Sequence, residues 1–471
     1  MYDLALNVFL CVNHKKKGAM TMFVQNDFQQ LRDLLDRNDL RALHNILRGA
    51  AAVDIADFLQ ELSKEQALLV FRMLNKEQAL HVFSHLDDDV QQSIIISITD
   101  KEVAAIVNDL WVDDIVDMLE EMPATLVKKV LRNSTPEARG LINQYFHYPE
   151  NSAGRIMTAE FVDLKKDMTV AQALARLKDV DHVTETIYTC FVTDETRILN
   201  GVLPLKNLLL ARDDQLVGEL ISSAPMYTVT TTDQEEAAQL MVKYHLLSLP
   251  VVDAENRLVG IITVDDAMDV LIEEATEDFE KMAAIRPSDT PYAKTSSFAL
   301  ARNRFPWLVV SLLTNIIISF VVDVYSPVYV AMPILVSFMP MLMGTGGNAG
   351  SQTSTLIIRG MALGEITFSD FWKVIWKEIR VCLVLGLALG AINFVRIVIF
   401  EPGQTALAAV VSVSLVCGIF AGKTTGAALP LLAKAVRIDP ALMASPLITT
   451  IVDVLAVAVF FSLSQVVFHL V

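Results

Sequence analysis

Asp453 is the residue that most demands a chemical reason. It lies in Leu442–Leu470, an otherwise apolar stretch. A carboxylate deep in such a run costs about 2.5–3.5 kcal/mol to place in a bilayer, so it marks a functional position by default. Thr449 and Thr450 stand four and three residues earlier, on the same side of a helix. A second unusual stretch, Gly344-Thr-Gly-Gly-Asn-Ala-Gly-Ser-Gln-Thr353, follows Met-Pro pairs at 332–333 and 339–340. Four glycines in seven residues weaken a helix by about 1 kcal/mol each relative to alanine. Close helix packing is a use for glycine, but it does not require the amide and hydroxyl groups beside it. Gly347, Asn348 and Gln352 therefore join Thr449, Thr450 and Asp453 as candidate linings of an ion path, with Asn348 and Gln352 one helical turn apart. Oxygen ligands of this kind suit hard divalent cations. None of these candidate residues is a Cys or His, which counts against copper and zinc.

Lys423 is the cation that would serve Asp453 as a merely structural partner. It belongs to the polar patch Gly422-Lys-Thr-Thr425, nearer the positively flanked end, and the two are read as separate. The patch imitates the end of a phosphate-binding loop, but that motif's first glycine would fall at Cys417 and no strand precedes it, so the loop is rejected. The reading finds no second buried acid to couple transport to another ion. Further acids gather at Glu273, Glu274, Glu277, Asp278 and Glu280, ahead of Pro287 and Pro291. An acidic face is ordinarily just solvated. Joined to a cation path it gains a use, because bound ions relieve its repulsion and favour whichever state binds them better. His81 and His85, one turn apart, do not fill a tetrahedral zinc site and are assigned to repeat packing.

These residues need elements to hold them, and composition indicates which. Of the 471 residues 53% are hydrophobic. Of 38 Lys/Arg and 55 Asp/Glu, residues 301–471 hold ten and seven, leaving 28 and 48 for the first 300. An acidic front portion argues against nucleic acid as a partner. Cys11, Cys190, Cys382 and Cys417 are scattered, so neither a disulfide framework nor a zinc cage is indicated. No nucleophile–base constellation or cofactor loop points to an enzyme.

Five apolar segments (Phe305–Val322, Val328–Ile358, Val381–Phe400, Leu407–Leu432 and Leu442–Leu470) each reach the ~20 residues that span a bilayer. Arg302, Arg304, Arg359, Lys373, Lys377, Arg380, Lys434 and Arg437 flank alternate ends, while Asp323 and Glu401 mark the opposite gaps. The positive-inside rule then places the first 300 residues in the cytoplasm of a multi-pass inner (plasma) membrane protein. Residues 51–122 carry a strict twelve-residue repeat, with Ser63, Asn75, Asp87 and Thr99 opening successive blocks as N-caps. Phe58, Val70, Val82, Ile94, Ile106 and Met118 fall in one column of it, the pattern of a superhelical array. Residues 152–272 alternate strand-like and helical runs twice.

The second of those runs, from Leu220-Ile-Ser-Ser to Asp269-Val-Leu271, resembles a CBS module, and the first is a less regular copy. The T-x-x-D pattern of nucleotide-binding CBS copies appears as Thr263-Val-Asp-Asp266, so ATP at Thr263 and Asp266 is an expectation of that resemblance. Gly346-Gly-Asn-Ala-Gly350, Asp439-Pro-Ala441 and Ser445-Pro-Leu-Ile-Thr-Thr-Ile-Val-Asp453 complete a likeness to the MgtE family of magnesium transporters over residues 25–471. The resemblance implies a multidomain fold: a tail (1–24, with Met20 or Met22 as alternative start), an all-α superhelical N-domain (25–150) and α/β tandem CBS domains (151–272). An acidic connecting (plug) helix (273–300) and an all-α transmembrane domain of five helices (301–471) follow. It implies a homodimer whose pore holds hydrated Mg2+ at Asp453, beside Gly347 and Asn348. It also implies closure by Mg2+ on a sensing surface that includes Asp265, Asp266, Asp269, Glu274, Glu277 and Asp278. Ala456 departs from the glycine expected there. A cobalt or manganese transporter, a CBS-gated anion channel and a membrane-anchored nucleotide sensor are the competing readings.

Overall fold

The twelve-residue period is realised as one short helix per block. The computed structural model describes residues 25–471 except 121, 180–183, 222–224, 289–291, 293–294, 444 and 471. The expected tail 1–24 and Pro291 thus lie outside the described residues. Helices α1 (Gln25–Asp36) and α2 (Leu40–Leu47) lead into α3 (Ala52–Gln60), α4 (Lys64–Phe71), α5 (Lys76–Ser84), α6 (Asp88–Ser97), α7 (Asp100–Val107) and α8 (Val112–Glu120). Then come α9 (Ala124–Asn133) and α10 (Pro136–Tyr145). The column Phe58, Val70, Val82, Ile94, Ile106 and Met118 is buried throughout. Alternate helices lie against one another, α3 on α5, α4 on α6, α7 on α9 and α8 on α10. Such short helices do not hold themselves in water and depend on this stacking. Ser63, Asn75 and Thr99 accept bonds from the first-turn amides of Gln66, Gln78 and Glu102, each worth about 1 kcal/mol. His81 and His85 are exposed, contrary to the packing role expected of them: the buried side of that helix is taken by Val82 and Phe83.

Two small sheets follow, built alike. In the first, β1 (Asp163–Lys165) runs parallel to β2 (Thr189–Thr193), which pairs antiparallel with β3 (Leu199–Pro204). In the second, β4 (Thr228–Val229), β5 (Ser248–Val252) and β6 (Leu258–Thr263) repeat that order and sense. Both central strands shift register at their C-terminal end, at Val192/Thr193 and at Val251/Val252. Asp194 and Asp253 close the two hairpins identically, each side chain accepting from the amides two and four residues on. Between the strands lie α11 (Val170–Asp179), α12 (Leu205–Leu210), α13 (Val217–Leu220) and α14 (Gln234–Tyr244).

The described residues fall into two compact units that divide between Val270 and Leu271, inside α15 (Val264–Met282). That helix also crosses the boundary expected at 272/273. The second unit contains α16 (Ser297–Val324), α17 (Ser326–Ala331), α18 (Met339–Ala362), α19 (Phe371–Phe400), α20 (Thr405–Ala435) and α21 (Ser445–Phe468). Four stretches, containing α16, α19, α20 and α21, are long and apolar enough to cross a membrane. At 24 residues α18 is about 36 Å long, sufficient in length but more polar. The expected segment Val328–Ile358 is not one helix. It breaks into α17, a 3₁₀ stretch at Pro333–Phe338, and α18, because Pro333 and Pro340 start turns that they cannot continue from behind.

Helix α18 lies against α20 and α21, and α19 lies against α20. The α18–α20 seam is made of glycine: Gly346 and Gly350 face Gly418, Gly422 and Gly426. A methyl group on Gly422 or Gly426 would strike the backbone of Gly346 or Gly350. Larger side chains fill the remainder, including Leu335, Leu342, Val411, Ile419, Phe460 and Phe461. Ala456 is buried, its methyl 3.8 Å from where a Cβ on Gly418 would stand, so its departure from the expected glycine bears on packing.

Candidate cation sites

In the membrane unit the glycines bring the two polar stretches together. A Cβ on Gly347 would lie 3.0 Å from the Thr449 methyl, one on Gly346 2.9 Å from Val452, and one on Gly350 2.6 Å from Ile448. The turn of α21 that ends at Asp453 is therefore laid directly on the glycine face of α18. Asn348 and Gln352 occupy the exposed face of the same helix, and Asp453 is half-buried. Thr449 and Thr450 part company: Thr449 sits over Gly347, whereas the Thr450 hydroxyl is 3.3 Å from the Thr314 hydroxyl of α16. Both also approach the Pro446 carbonyl, at 3.0 and 2.9 Å.

Lys423 pairs with Glu378 of α19, at 3.0 Å, and not with Asp453. Glu378 is a largely buried acid, its side chain only 12% exposed, and it is neutralised by Lys423. In the sequence it stands among Lys373, Lys377 and Arg380 and reads as part of a solvated flank.

In the soluble unit three carboxylates converge from 153 residues of chain. Ligand oxygens of Asp113 (α8), Glu185 (before β2) and Asp266 (first turn of α15) lie within 4.8 Å of one another. Asp114 and Glu160 stand close enough to act on them. Burial, with these acids adding to it, pushes the Asp113 carboxyl well above its ordinary range. Burial likewise pushes Glu185 to about 8, and Asp114 and Asp266 each to about 6. Asp113 Oδ1, Glu185 Oε2 and the Tyr145 hydroxyl are buried without a hydrogen-bond partner among the described residues. Unpaired oxygens, mutual repulsion and oxygen-only chemistry are what a hard divalent cation relieves. Asp266 is held in place by Thr263, whose hydroxyl donates to it. Asp269 is raised by burial and Asp265, while Asp265 itself is exposed. Asp113, Asp114 and Glu185 had no signal in the sequence beyond being acidic, since no spacing links positions 72 residues apart.

The connector acids belong to the second unit. Glu277 bonds Lys281 at 2.8 Å, and Lys281 bonds Asp439 at 2.7 Å. Asp278 is raised to about 6 by burial and then by Asp439. Glu274 is half-buried nearby and adds to that rise.

Acids gathered in the first unit, together with a carboxylate carried by an apolar helix, are features of a membrane protein that handles cations. Comparison with known proteins supplies the family. Residues 339–463 match the family model described as "Divalent cation transporter" (MgtE), residues 50–151 the MgtE intracellular N domain, and residues 217–273 the CBS domain. The magnesium transporter MgtE of Thermus thermophilus is 36% identical over 92% of this chain and 97% of its own length. That of Bacillus subtilis is 28% identical over 93% and 96%. A solved structure of the cytosolic domain of the Mg2+ channel MgtE in complex with ATP is 36% identical, covering 52% of this chain and 99% of that one with a TM-score of 0.49. The chain belongs to the MgtE family.

Proposed function

We propose that this chain moves magnesium across the plasma membrane as a homodimer, through a path walled by α18 and α21, with its N-terminus in the cytoplasm. The observation that carries the reading is the seating of the Thr449–Asp453 turn on Gly346, Gly347 and Gly350, with Asn348 and Gln352 left on an open face. One chain offers one carboxylate there. A two-fold partner supplies a second, and a hydrated magnesium ion between them offsets their repulsion. The relatives named magnesium transporters support the choice of ion. Cobalt and manganese accept the same oxygen ligands and are the second reading.

Closure is assigned to magnesium in the soluble unit. Asp113, Glu185 and Asp266 are its first ligands, with Asp114, Asp265 and Asp269 around them. Glu274, Glu277 and Asp278 of the connector form a further sensing surface. The ion shifts the protein toward whichever state brings these acids together, in proportion to its preference for that state. Thr263 and Asp266 are also the proposed contacts of ATP. An occupant at Asp266 is then shared between nucleotide and metal, so ATP should alter the magnesium response. The deciding experiment is magnesium flux into proteoliposomes holding a magnesium dye, comparing the native chain with Asp453→Ala. Flux lost in the variant, and suppressed by magnesium on the side of the soluble unit, supports path and gate. Equal flux removes Asp453 from the path, and movement of chloride or cobalt alone overturns the ion.

A further inference from the structure

Thr353, Glu378 and Lys423 close a ring of polar contacts between three helices of the second unit. The Lys423 ammonium of α20 donates to Glu378 Oε2 of α19 at 3.0 Å and to the Thr353 hydroxyl of α18 at 3.1 Å. Thr353 Oγ1 is in turn 3.1 Å from the same carboxylate oxygen and 3.1 Å from the Ala349 carbonyl. The two charged side chains are 6% and 12% exposed, and Thr353 is 2% exposed. A buried ion pair is a poor device for stability, because apolar residues of similar volume commonly do as well or better. Its presence therefore asks for another use.

The place of the ring suggests one. Helix α18 meets α20 along Gly346 and Gly350, backbone against backbone. A glycine seam has shallow relief, and few interlocking side chains oppose turning or sliding of one helix on the other. A slip of one residue turns α18 by about 100°, which would carry Asn348 and Gln352 off their exposed face. Hydrogen bonds are directional where a glycine seam is not. Thr353, the residue after Gln352, is held from two sides and so fixes both the rotation and the height of the helix.

We propose that Glu378 and Lys423 are positioning residues for ion selection: their charged ring holds α18 in the one register that presents Asn348 and Gln352 beside the Asp453 turn. The proposal rests on the reading of α18 and α21 as walls of the path. Neither residue touches the ion. They act through Thr353, and they neutralise each other so that the path is charged by Asp453 alone.

The test uses the full-length protein in proteoliposomes, with magnesium flux read by dye and sodium as the competing ion. Native protein is compared with Glu378→Gln, Lys423→Met, the paired apolar variant Glu378→Leu/Lys423→Met, the exchanged pair Glu378→Lys/Lys423→Glu, and Asp453→Asn. Thermal unfolding of each is measured in detergent. The paired apolar variant is expected to fold with near-native thermal stability. Its magnesium flux should nonetheless fall by roughly ten- to hundredfold, the equivalent of one charge-assisted hydrogen bond, and its preference over sodium should fall with it. The exchanged pair, which rebuilds the ring in reverse, should recover part of both. Native flux and selectivity in the paired apolar variant would overturn the proposal. So would its failure to fold, since the ring would then serve stability alone. Native flux in Asp453→Asn would instead sink the path itself, whatever the paired variants do.

Discussion

Glu378 and Asp113 are both carboxylates withdrawn from water, one in the membrane unit and one in the soluble unit, and the chain treats them in opposite ways. Glu378 has a cation of its own, with Lys423 at 3.0 Å and a hydroxyl beside it. Asp113 is surrounded by more acid: after burial, the charges that act on it are Asp114, Asp266, Glu185 and Glu160. A buried acid whose counter-charge is covalently part of the chain is satisfied at every ion concentration, and so can only hold a shape. A buried acid whose neighbours are also acids is satisfied only when an ion or protons arrive, and so can report them. Asp453 shares only one trait with Asp113, the lack of a counter-charge from the chain. Among the described residues it forms no ion pair, although Lys423 lies in the same unit.

The contrast is sharpest along the proposed path. Asp453→Ala should reduce magnesium flux into proteoliposomes to the level of empty vesicles, whereas a residual flux near native would remove Asp453 from that path. The next largest effect is on stability. Lys423→Met strands Glu378 without its cation and should cost about 3–5 kcal/mol, read as a lower midpoint of thermal unfolding in detergent. Asp113→Asn should do the reverse. With magnesium chelated it removes repulsion and should stabilise the protein by about 1–3 kcal/mol, while the stabilisation gained on adding magnesium shrinks. Destabilisation of the chelated protein by Asp113→Asn would erase the distinction between the two sites.

A pH series separates them further. Asp114 and Asp266 rise from 3.8 to about 6, and Glu185 rises from 4.5 to about 8. Each binds more protons folded than unfolded between those limits, so without magnesium the soluble unit should lose stability as pH climbs from about 4 to about 8. Magnesium competes with those protons. Its stabilising effect should therefore be larger at pH 8 than at pH 5.5, and magnesium addition near pH 7 should release protons measurable in a weakly buffered solution. The smallest effect is expected at the neutral member of the ring. Thr353→Val should cost about 1 kcal/mol of thermal stability, the usual net worth of one hydrogen bond. A loss as large as that of Lys423→Met would mean that the hydroxyl, not the charge, holds the ring together.

Much of the molecule was legible before any fold was described. The twelve-residue column of Phe58, Val70, Val82, Ile94, Ile106 and Met118 declared its own burial, because a period in sequence becomes a stripe in space with no long-range information. The apolar segments and the lone Asp453 were legible for the same reason, since a bilayer sets length and charge limits that act locally. One expectation failed because it needed a neighbouring helix: His81 and His85 were assigned to packing and are exposed. Lys423 and Asp453 were read as separate, and Lys423 pairs with Glu378. The sequence could exclude one partner for Lys423 but could not name the other, because only the packed helix decides which side chains meet.

What the sequence determined by itself were the elements and their order: a helical array, two matching sheets, a connector helix, and apolar helices, the last of which carries Asp453 within its apolar run. These follow from periodicity, capping and transfer energy, all of which act over a few residues. The tertiary structure alone decided which acids meet. Asp113, Glu185 and Asp266 converge from three distant positions, and Thr353, Glu378 and Lys423 from three helices. No local rule links them, because the free energy of a charge pair depends on separation in space and on the water that packing has removed.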